Sequence, residues 1–273
     1  MTDPAETTTP VTAPAVVPPR PLTDFAAAIG FLTLLPFGRT WPDDRVPRSV
    51  GWYGWVGWLL GGAAGLGLAA LARWGDMAAP GMPLLAAVLV VSAWALLTRF
   101  LHWDGLADSL DGLWGGSTPE RRLEIMHDSR IGSFGAAAIM LTALAQVAAA
   151  AVLIAAGHLW VLVAAPVIAR FTISLAAWEL PAARREGLGL TAMGHAGAYD
   201  RLVAGASALL LLVLLATGAS THAFIVVAAT GVVAGLLVPR ALARGVGGMT
   251  GDLFGATVLL VETVVLLTGA FFS

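Results

Sequence analysis

The stretch "PLLAAVLVVSAWALLTRFLHWDGLADSLDGLWGG", residues 83–116, joins a long apolar run to a short acidic one. Its first part, 83–101, has the length of about 20 mostly apolar residues that a helix needs to cross a bilayer core. Six further runs share this property: 50–72, 131–156, 160–180, 201–219, 221–239 and 252–272. Because their apolar residues are continuous rather than alternating, these runs predict helices and exclude barrel strands. We therefore expect an all-α polytopic membrane protein, a bundle of about seven transmembrane helices.

The composition agrees with this fold class. Hydrophobic residues make up 58% of the chain and charged residues 12%, about half the share of roughly 25% found in soluble proteins. The net charge of −2 offers no basic surface for nucleic acid. The absence of cysteine excludes disulfides, thiolate nucleophiles and cysteine-bound zinc. The composition thus indicates the lipid bilayer, and no nucleic acid, as a partner.

The N-terminal part differs from the rest of the chain. Residues 1–23 contain six prolines and several threonines, which predicts a disordered tail. Residues 24–273 are then expected to form a single integral-membrane domain. The apolar segment 25–37 is too short to span a bilayer, so we expect it to be interfacial, re-entrant or a partial helix.

Arginine is distributed unevenly among the connections between the apolar runs. It is concentrated in the segments 38–49, 102–130, 181–200 and 240–251, whereas the short connections hold only Arg73. An excess of arginine marks the cytoplasmic side of a membrane protein. We therefore expect all four arginine-rich segments, including the acidic loop 102–130, to face the cytoplasm.

Three aspartates follow the apolar run at 83–101. At about 100° per residue, Asp104, Asp108 and Asp111 share one face if the segment is helical. Like charges at this spacing repel each other and destabilise a helix. A divalent cation would offset the repulsion, and carboxylate oxygens are the ligands that Mg²⁺, or alternatively Mn²⁺, prefers. The spacing therefore predicts a metal site.

The rest of the loop predicts a second acidic helix. Its start is expected at "STPE" (117–120), with Ser117 as the cap and Pro119 in the first turn. Asp128, near the end of the loop, is a further candidate ligand, so that the two helices could oppose each other across a metal. Glycines of the first motif would let the backbone approach an anion: Gly112, Gly115 and Gly116.

Two charged residues lie inside predicted spans, where a charge is costly and usually functional. Arg170 could bind a phosphate or pair with an intramembrane acid such as Glu262. Asp252, in "TGDLFGA", stands at the entrance of the last span and is a candidate for substrate or metal binding. A transporter would also place charges within its spans, but it would require internal repeats that this sequence does not show.

The acidic motif resembles the opening of a known signature. "DSLDG" (108–112) is similar to the D-x-x-D-G that opens the signature of the CDP-alcohol phosphotransferases, although the Ala-Arg that completes this signature is missing here. This resemblance implies the transfer of a phosphoryl group from a nucleotide diphosphate donor to an alcohol. A membrane enzyme of this kind is one alternative for the function of the chain.

Three motifs together resemble the cobalamin synthase family, the adenosylcobinamide-GDP ribazoletransferases. They are "HWDGLADSLDGLWGG" (102–116), "RRLEIMHDSRIGSFG" (121–135) and "GGMTGDLFGA" (247–256), and "GFLTLLPF" (30–37) also fits. The resemblance covers roughly residues 25–272. The chain departs from the family at Leu34 and His127, where basic residues are expected; Arg39 or Arg130 would then contact the phosphate instead.

The resemblance implies the final assembly of coenzyme B12. The 3′-hydroxyl of α-ribazole, or of its 5′-phosphate, would attack adenosylcobinamide-GDP, and GMP would leave. The product would be adenosylcobalamin or its 5′-phosphate. The family is magnesium-dependent and belongs to the bacterial inner membrane, and a complex with other corrinoid-pathway enzymes is possible.

The reaction suggests a role for each candidate residue. One or two Mg²⁺ ions would be held by the four aspartates Asp104, Asp108, Asp111 and Asp128. Asp128 would accept the hydroxyl proton, with His102 and His127 as alternatives. Arg130 would contact phosphate or pair with Asp128. The expected substrate-binding residues are Gly112, Gly115, Gly116, Ser129, Arg170, Asp252 and Glu262.

Overall fold

The computed structural model describes residues 18–37, 45–184, 192–193, 196–218 and 221–273. Within these ranges the regular structure is helical, and the single β-bridge joins Ala182 to Met249. The α-helices are α1 (Pro21–Leu32), α2 (Val46–Ser49), α3 (Tyr53–Trp74), α4 (Met82–Leu97), α5 (Leu101–Gly115), α6 (Pro119–Ile125), α7 (Ser133–Ala155), α8 (Leu159–Glu179), α9 (Ala198–Gly218), α10 (Thr221–Arg244) and α11 (Gly251–Phe271). A 3₁₀ turn, Val50–Trp52, joins α2 to α3.

The predicted membrane fold is confirmed. Each of the seven apolar runs coincides with one long helix: α3, α4, α7, α8, α9, α10 and α11. In the described part of the chain, five helical stretches are long and apolar enough to cross a membrane: Val46–Trp74, Ser133–Ala155, Leu159–Glu179, His222–Arg244 and Gly251–Phe271. The bent pair α4 and α5 becomes a sixth if it is counted as one span. The protein is therefore a multi-pass membrane protein.

Helices α8 and α11 form the centre of the bundle. In each of them 67% of the apolar window is buried, against 28–33% in the stretches Val46–Trp74, Ser133–Ala155 and His222–Arg244. Helix α3 packs closely on α8 at Gly57, where a side chain would not fit: a Cβ added at Gly57 would lie 2.5 Å from the carbonyl oxygen of Pro166. Such small residues let membrane helices pack backbone to backbone.

A buried ion pair joins the two central helices. Arg170 of α8 donates to Glu262 of α11, and their side chains are only 1% and 3% exposed. Each buried charge is neutralised by its partner, so the protein avoids the free-energy cost of burying an unpaired charge. Of the two roles predicted for Arg170, the structure thus shows pairing with Glu262. Neither residue lines the cavity described below.

A sharp bend separates α4 from α5. Arg99 and Phe100 both have positive φ, 54° and 56°, a conformation that is uncommon for residues other than glycine. The two helices consequently meet at 86°. Helix α5 then crosses the N-terminal ends of α11 and α7. Its contact with α11 is close, since a Cβ added at Gly105 would lie 2.7 Å from the carbonyl oxygen of Asp252. Its contact with α7 is equally close, since a Cβ added at Gly135 would lie 2.8 Å from the carbonyl oxygen of Ala107. The first half of the loop 102–130, which is helix α5, is therefore a packed part of the bundle.

The second predicted helix is present as α6, with one correction. Its cap is Thr118 rather than Ser117: the Thr118 hydroxyl accepts a hydrogen bond from the Arg121 N–H at 3.3 Å. Helices α5 and α6 face each other, as predicted, but they touch directly. A Cβ at Gly112 would lie 2.5 Å from Cγ of Met126, and this close packing leaves no room for a metal between them.

The arginine-rich segments meet at one end of the bundle. Arg48 pairs with Asp200 at 2.7 Å, and Arg240 pairs with Glu179 at 2.6 Å. Arg122 of α6 also donates to the carbonyl oxygen of Gly245 at 2.8 Å. The expectation that these segments share one side is therefore confirmed for the described residues, which do not include Arg39. We refer to this side as the charged end.

The N-terminal apolar segment is a short helix, as predicted. Helix α1 has 12 residues. Asp24 forms a buried ion pair with Arg45 at 3.2 Å and also accepts from the Arg20 N–H at 2.8 Å. These contacts fix α1 against the charged end. Residues 1–17 of the predicted tail lie outside the described residues, and its end is corrected because residues 21–23 form the start of α1.

Candidate active site

A cavity of about 430 Å³ lies at the charged end. Segments far apart in sequence line it, among them α1, α5, α8 and the first turn of α11. Its interior is formed by buried side chains, whereas its charged residues are partly or fully exposed. The charged set, called the rim below, consists of Arg99, Asp104, His127, Arg184 and Asp252.

Two rim aspartates stand in the first turns of helices. Asp104 lies in the first turn of α5 and Asp252 in that of α11. The helix dipole favours a negative charge at this position. Thr250 caps α11 by accepting a hydrogen bond from the Leu253 N–H at 3.2 Å, and Arg184 lies 3.6 Å from the Asp252 carboxylate. The local structure thus supports two carboxylates at the cavity.

Asp108 adds a third carboxylate one turn after Asp104. It is partly buried and lies in the repulsive fields of Asp104, Asp252 and Asp111, with Arg184 as the nearby cation. The close crossing of α5 and α11 therefore brings the first and the last motif together. We call Asp104, Asp108 and Asp252 the carboxylate cluster.

The carboxylate cluster has the chemistry of a magnesium site. Its donors are oxygens only, which Mg²⁺ and Mn²⁺ accept, and a cation would relieve the mutual repulsion of the carboxylates. Among the described residues no three acidic or histidine side chains already converge as the ligands of an ion. Binding would therefore require rotation of these side chains.

Asp111 has a structural role that the sequence did not predict. Its two carboxylate oxygens accept hydrogen bonds from the N–H groups of Gly132, at 2.7 Å, and Gly135, at 2.9 Å. These groups belong to the start of α7, so Asp111 acts as a cap supplied by another helix. A Cβ at Gly132 or Gly135 would lie only 2.4 or 2.3 Å from this carboxylate. Asp111 is therefore placed to hold α5 on α7 rather than to face the cavity.

Asp128 and Arg130 form a surface ion pair away from the cavity lining. The Arg130 guanidinium donates to both carboxylate oxygens, and the shortest distance is 2.6 Å. These hydrogen bonds lower the pKa of Asp128 to about 2. A carboxylate with so low a pKa is a weak general base near neutral pH. Of the two roles predicted for Arg130, the structure shows pairing, and neighbouring Ser129 is exposed.

Gly112, Gly115 and Gly116 do not line the cavity, whereas Gly105 of the same motif does. A Cβ at Gly112 or Gly116 would meet α6, at Met126 and Arg122 respectively. Gly115 has only an ordinary contact with Ile125 at 3.5 Å. In the structure these glycines therefore serve the packing of α5 on α6 or the end of α5, rather than the approach of an anion.

Both predicted histidines line the cavity. His127 is exposed at the rim. His102 is 3% exposed, and no described residue hydrogen-bonds to its Nε2. A buried polar atom without a protein partner is uncommon in a native structure, and this nitrogen is free to bond to water or to a bound molecule. His102 is thus placed to contact a molecule inside the cavity.

Sequence reasoning missed two cations of the rim. Arg184 was counted only as a loop charge, and Arg99 only as the end of a span. Both line the cavity, whereas Leu34 does not. The doubled arginine in "PAARRE" (181–186) was the available signal for Arg184, but only the fold shows that it meets Asp252.

The comparisons with known proteins identify the family of the chain. The family model described as "Cobalamin-5-phosphate synthase" matches residues 24–270. The adenosylcobinamide-GDP ribazoletransferase of Syntrophobacter fumaroxidans is 40% identical over 251 residues, which are 90% of this chain and 97% of that protein. No solved structure matches the chain.

Two further relatives carry the same name. The protein of Bradyrhizobium diazoefficiens is 36% identical over 258 residues, 92% of this chain and 95% of its own length. That of Escherichia coli O17:K52:H18 is 35% identical over 250 residues, 89% of this chain and 97% of its own length. The matched range contains every residue of the cavity and of the carboxylate cluster.

Proposed function

The chain belongs to the cobalamin-5-phosphate synthase family, and we propose that it transfers adenosylcobinamide phosphate from adenosylcobinamide-GDP to α-ribazole or its 5′-phosphate. GMP is released, and adenosylcobalamin or its 5′-phosphate forms. The observation that carries this proposal is the similarity to ribazoletransferases over about 90% of the chain. The enzyme is thus a membrane transferase of coenzyme B12 assembly.

The reaction exchanges one bond to phosphorus for another. The 3′-hydroxyl oxygen of the nucleoside bonds to the phosphorus on the cobinamide side of the diphosphate. The bond from this phosphorus to the oxygen shared with GMP breaks, and GMP takes both electrons. Such transfers depend on positioning and on neutralisation of negative charge rather than on covalent help from the protein.

We assign magnesium binding to the carboxylate cluster, Asp104, Asp108 and Asp252. Mg²⁺, or Mn²⁺ in its place, would neutralise charge on the diphosphate and its leaving oxygen. The predicted ligand set changes in two respects. Asp111 is left out because both of its oxygens cap α7, and Asp128 because it pairs with Arg130 on the surface.

The rim cations and His102 complete the proposed site. Arg99, Arg184 and His127 can donate hydrogen bonds to the non-bridging oxygens of the diphosphate. The buried imidazole of His102 can accept a hydrogen bond from the attacking hydroxyl, because a neutral imidazole has one acceptor nitrogen. We propose His102 as the proton acceptor in place of Asp128 because His102 lines the cavity and Asp128 does not.

We place the charged end in the cytoplasm and the protein in the bacterial inner membrane. The excess of arginine at this end supports the orientation. The cavity would then open toward the nucleotide substrates. A complex with other enzymes of the corrinoid pathway stays a prediction.

The test is an assay of the purified protein in liposomes. Adenosylcobinamide-GDP, α-ribazole and Mg²⁺ are supplied, and GMP and the cobalamin product are quantified by chromatography. We expect both products in equal amounts, their loss with EDTA and their return with Mg²⁺. An active-site control, Asp108→Asn, should require more Mg²⁺, whereas Asp128→Asn should not. A protein that releases no GMP under these conditions would refute the proposed function.

The two alternatives are not favoured. A CDP-alcohol phosphotransferase would carry the full D-x-x-D-G-x-x-A-R pattern, which ends here at Gly112. A transporter would place its acidic residues along a path through the membrane. Instead the carboxylate cluster lies at one end, and the intramembrane Glu262 is neutralised by Arg170.

A further inference from the structure

Two stacked aromatic residues line the interior of the cavity. The rings of Phe31 and Tyr53 are parallel, with 3° between their planes and 6.1 Å between their centroids. Both residues line the cavity, together with the buried side chains of Ile173, Ala177 and Phe254. These walls are suited to a planar apolar group rather than to a charged one.

Two polar atoms in this interior have no protein partner. The Tyr53 hydroxyl lies near Ser49 but makes no hydrogen bond of regular geometry with a described residue, and the same holds for Nε2 of His102. Tyr53 is 2% exposed and His102 3%. Burial of an unsatisfied polar atom is costly. Since the interior offers few polar partners, it suits a ligand that itself has few hydrogen-bonding groups.

The volume decides which substrate can enter. The cavity measures about 430 Å³, within the range of roughly 300–1,000 Å³ that suits a ligand of drug size. A nucleoside is a ligand of that size. The corrin macrocycle with its amide side arms is larger than a nucleoside. The size of the cavity therefore favours a nucleoside as its occupant.

We infer that this interior binds the acceptor nucleoside, with its bicyclic aromatic base against Phe31 and Tyr53 and its ribose toward the carboxylate cluster. This inference rests on the proposed function. Because His102 is assigned to the attacking hydroxyl of the ribose, the Tyr53 hydroxyl is the unpartnered atom left for the base. The benzimidazole base of α-ribazole presents correspondingly few hydrogen-bonding atoms. The guanine of the donor would instead bury an amide edge with several unsatisfied groups, which is costly.

The test separates the two substrates kinetically. Phe31→Leu removes the aromatic face, and we expect the KM for α-ribazole to rise about tenfold, with the KM for adenosylcobinamide-GDP unchanged. Phe31→Trp keeps an aromatic face and should restore a KM near that of the parent. Phe25→Leu is the matched control, because Phe25 lies on the same helix and packs on Trp52 outside the cavity.

A binding measurement removes the dependence on turnover. Equilibrium dialysis of labelled α-ribazole with the liposome-bound protein, without donor, should show saturable binding that Phe31→Leu weakens and Phe25→Leu does not. Ala177→Val should also weaken the binding of α-ribazole, because the larger side chain narrows the cavity. The same variant should weaken the binding of the smaller riboside of unsubstituted benzimidazole to a lesser extent.

The outcomes distinguish the two hypotheses. An active enzyme in which Phe31→Leu raises only the KM for adenosylcobinamide-GDP would overturn the inference in favour of guanine. Equal effects of Phe31→Leu and Phe25→Leu would overturn it as well, since they would indicate a general loss of packing. A wild-type protein that binds α-ribazole but releases no GMP would support the inference and refute the proposed transfer.

Discussion

Asp111 shows how the spacing of a residue can select it as a candidate while its protein partners stay hidden from the sequence. Its spacing to Asp104 and Asp108 predicted a shared helical face, and α5 confirms the helix. The contact with Gly132 and Gly135 joins positions more than 20 apart. No periodicity in the sequence encodes such a contact, so its capping role emerges only from the packing of α5 on α7.

The first prediction concerns the cap that Asp111 provides for α7. Asp111→Ala should lower the free energy of unfolding by about 1–2 kcal/mol, because two N–H groups of α7 lose their acceptor. Asp111→Asn should lose less, since one carboxamide oxygen still accepts. Thermal unfolding in detergent measures both, and the Mg²⁺ concentration for half-maximal activity of Asp111→Asn should match that of the parent. A raised Mg²⁺ requirement without lower stability would show that Asp111 is a ligand instead.

The second prediction concerns the buried ion pair of Arg170 and Glu262. Removal of one partner, as in Arg170→Leu, leaves a buried charge and should destabilise the protein by about 3–5 kcal/mol. The double variant Arg170→Leu/Glu262→Leu should recover most of that loss. Thermal unfolding of the single and double variants forms the cycle. Additive losses in the double variant would mean that the two charges do not stabilise each other.

At the scale of elements, α5 was the least predictable part of the bundle. Hydropathy located the long helices and, between them, the connections. The 86° bend before α5 falls on Arg99 and Phe100, two residues with no preference for positive φ. The bend is therefore imposed by tertiary packing, which places α5 across α7 and α11 instead of in a solvated loop.

The crossing of α5 and α11 makes the third prediction. Gly105→Ala places a Cβ 2.7 Å from the Asp252 carbonyl oxygen, so the two helices must move apart and the carboxylate cluster with them. Misplacement on this scale costs on the order of 100-fold in rate. Gly62→Ala is the matched control, since a Cβ there has no neighbour within 4 Å. GMP release measures both, and equal rates would show that the crossing does not position the cluster.

At the scale of the whole molecule, the arginine pattern predicted which segments share an end, and the fold confirms it for the described residues. The sequence could not show which residues of those segments meet. Arg184 and Asp252 are 68 positions apart and lie 3.6 Å from each other. The cavity is likewise assembled from α1, α5, α8 and α11, whose relative placement depends on long-range packing rather than on any local pattern.

The absence of cysteine allows a direct test of orientation, the fourth prediction. Single cysteines are introduced by Ser117→Cys at the charged end, and by Ala78→Cys and Ala156→Cys at the opposite end. A membrane-impermeant maleimide applied to spheroplasts should label the two latter variants at once. It should label Ser117→Cys only after the membrane is opened. Labelling of Ser117→Cys in intact spheroplasts would reverse the orientation.

The central claim is that the first and the last motif form one catalytic centre through Asp104 and Asp252. The most direct test is a double-variant cycle on GMP release, with Asp104→Asn, Asp252→Asn and both together, and Asp76→Asn at the opposite end as the control. Each single change should slow release by on the order of 100-fold. The double variant should be little slower than the slower single, because residues that act as a unit are not additive. Two independent losses that multiply, or single variants with full activity, would contradict the claim.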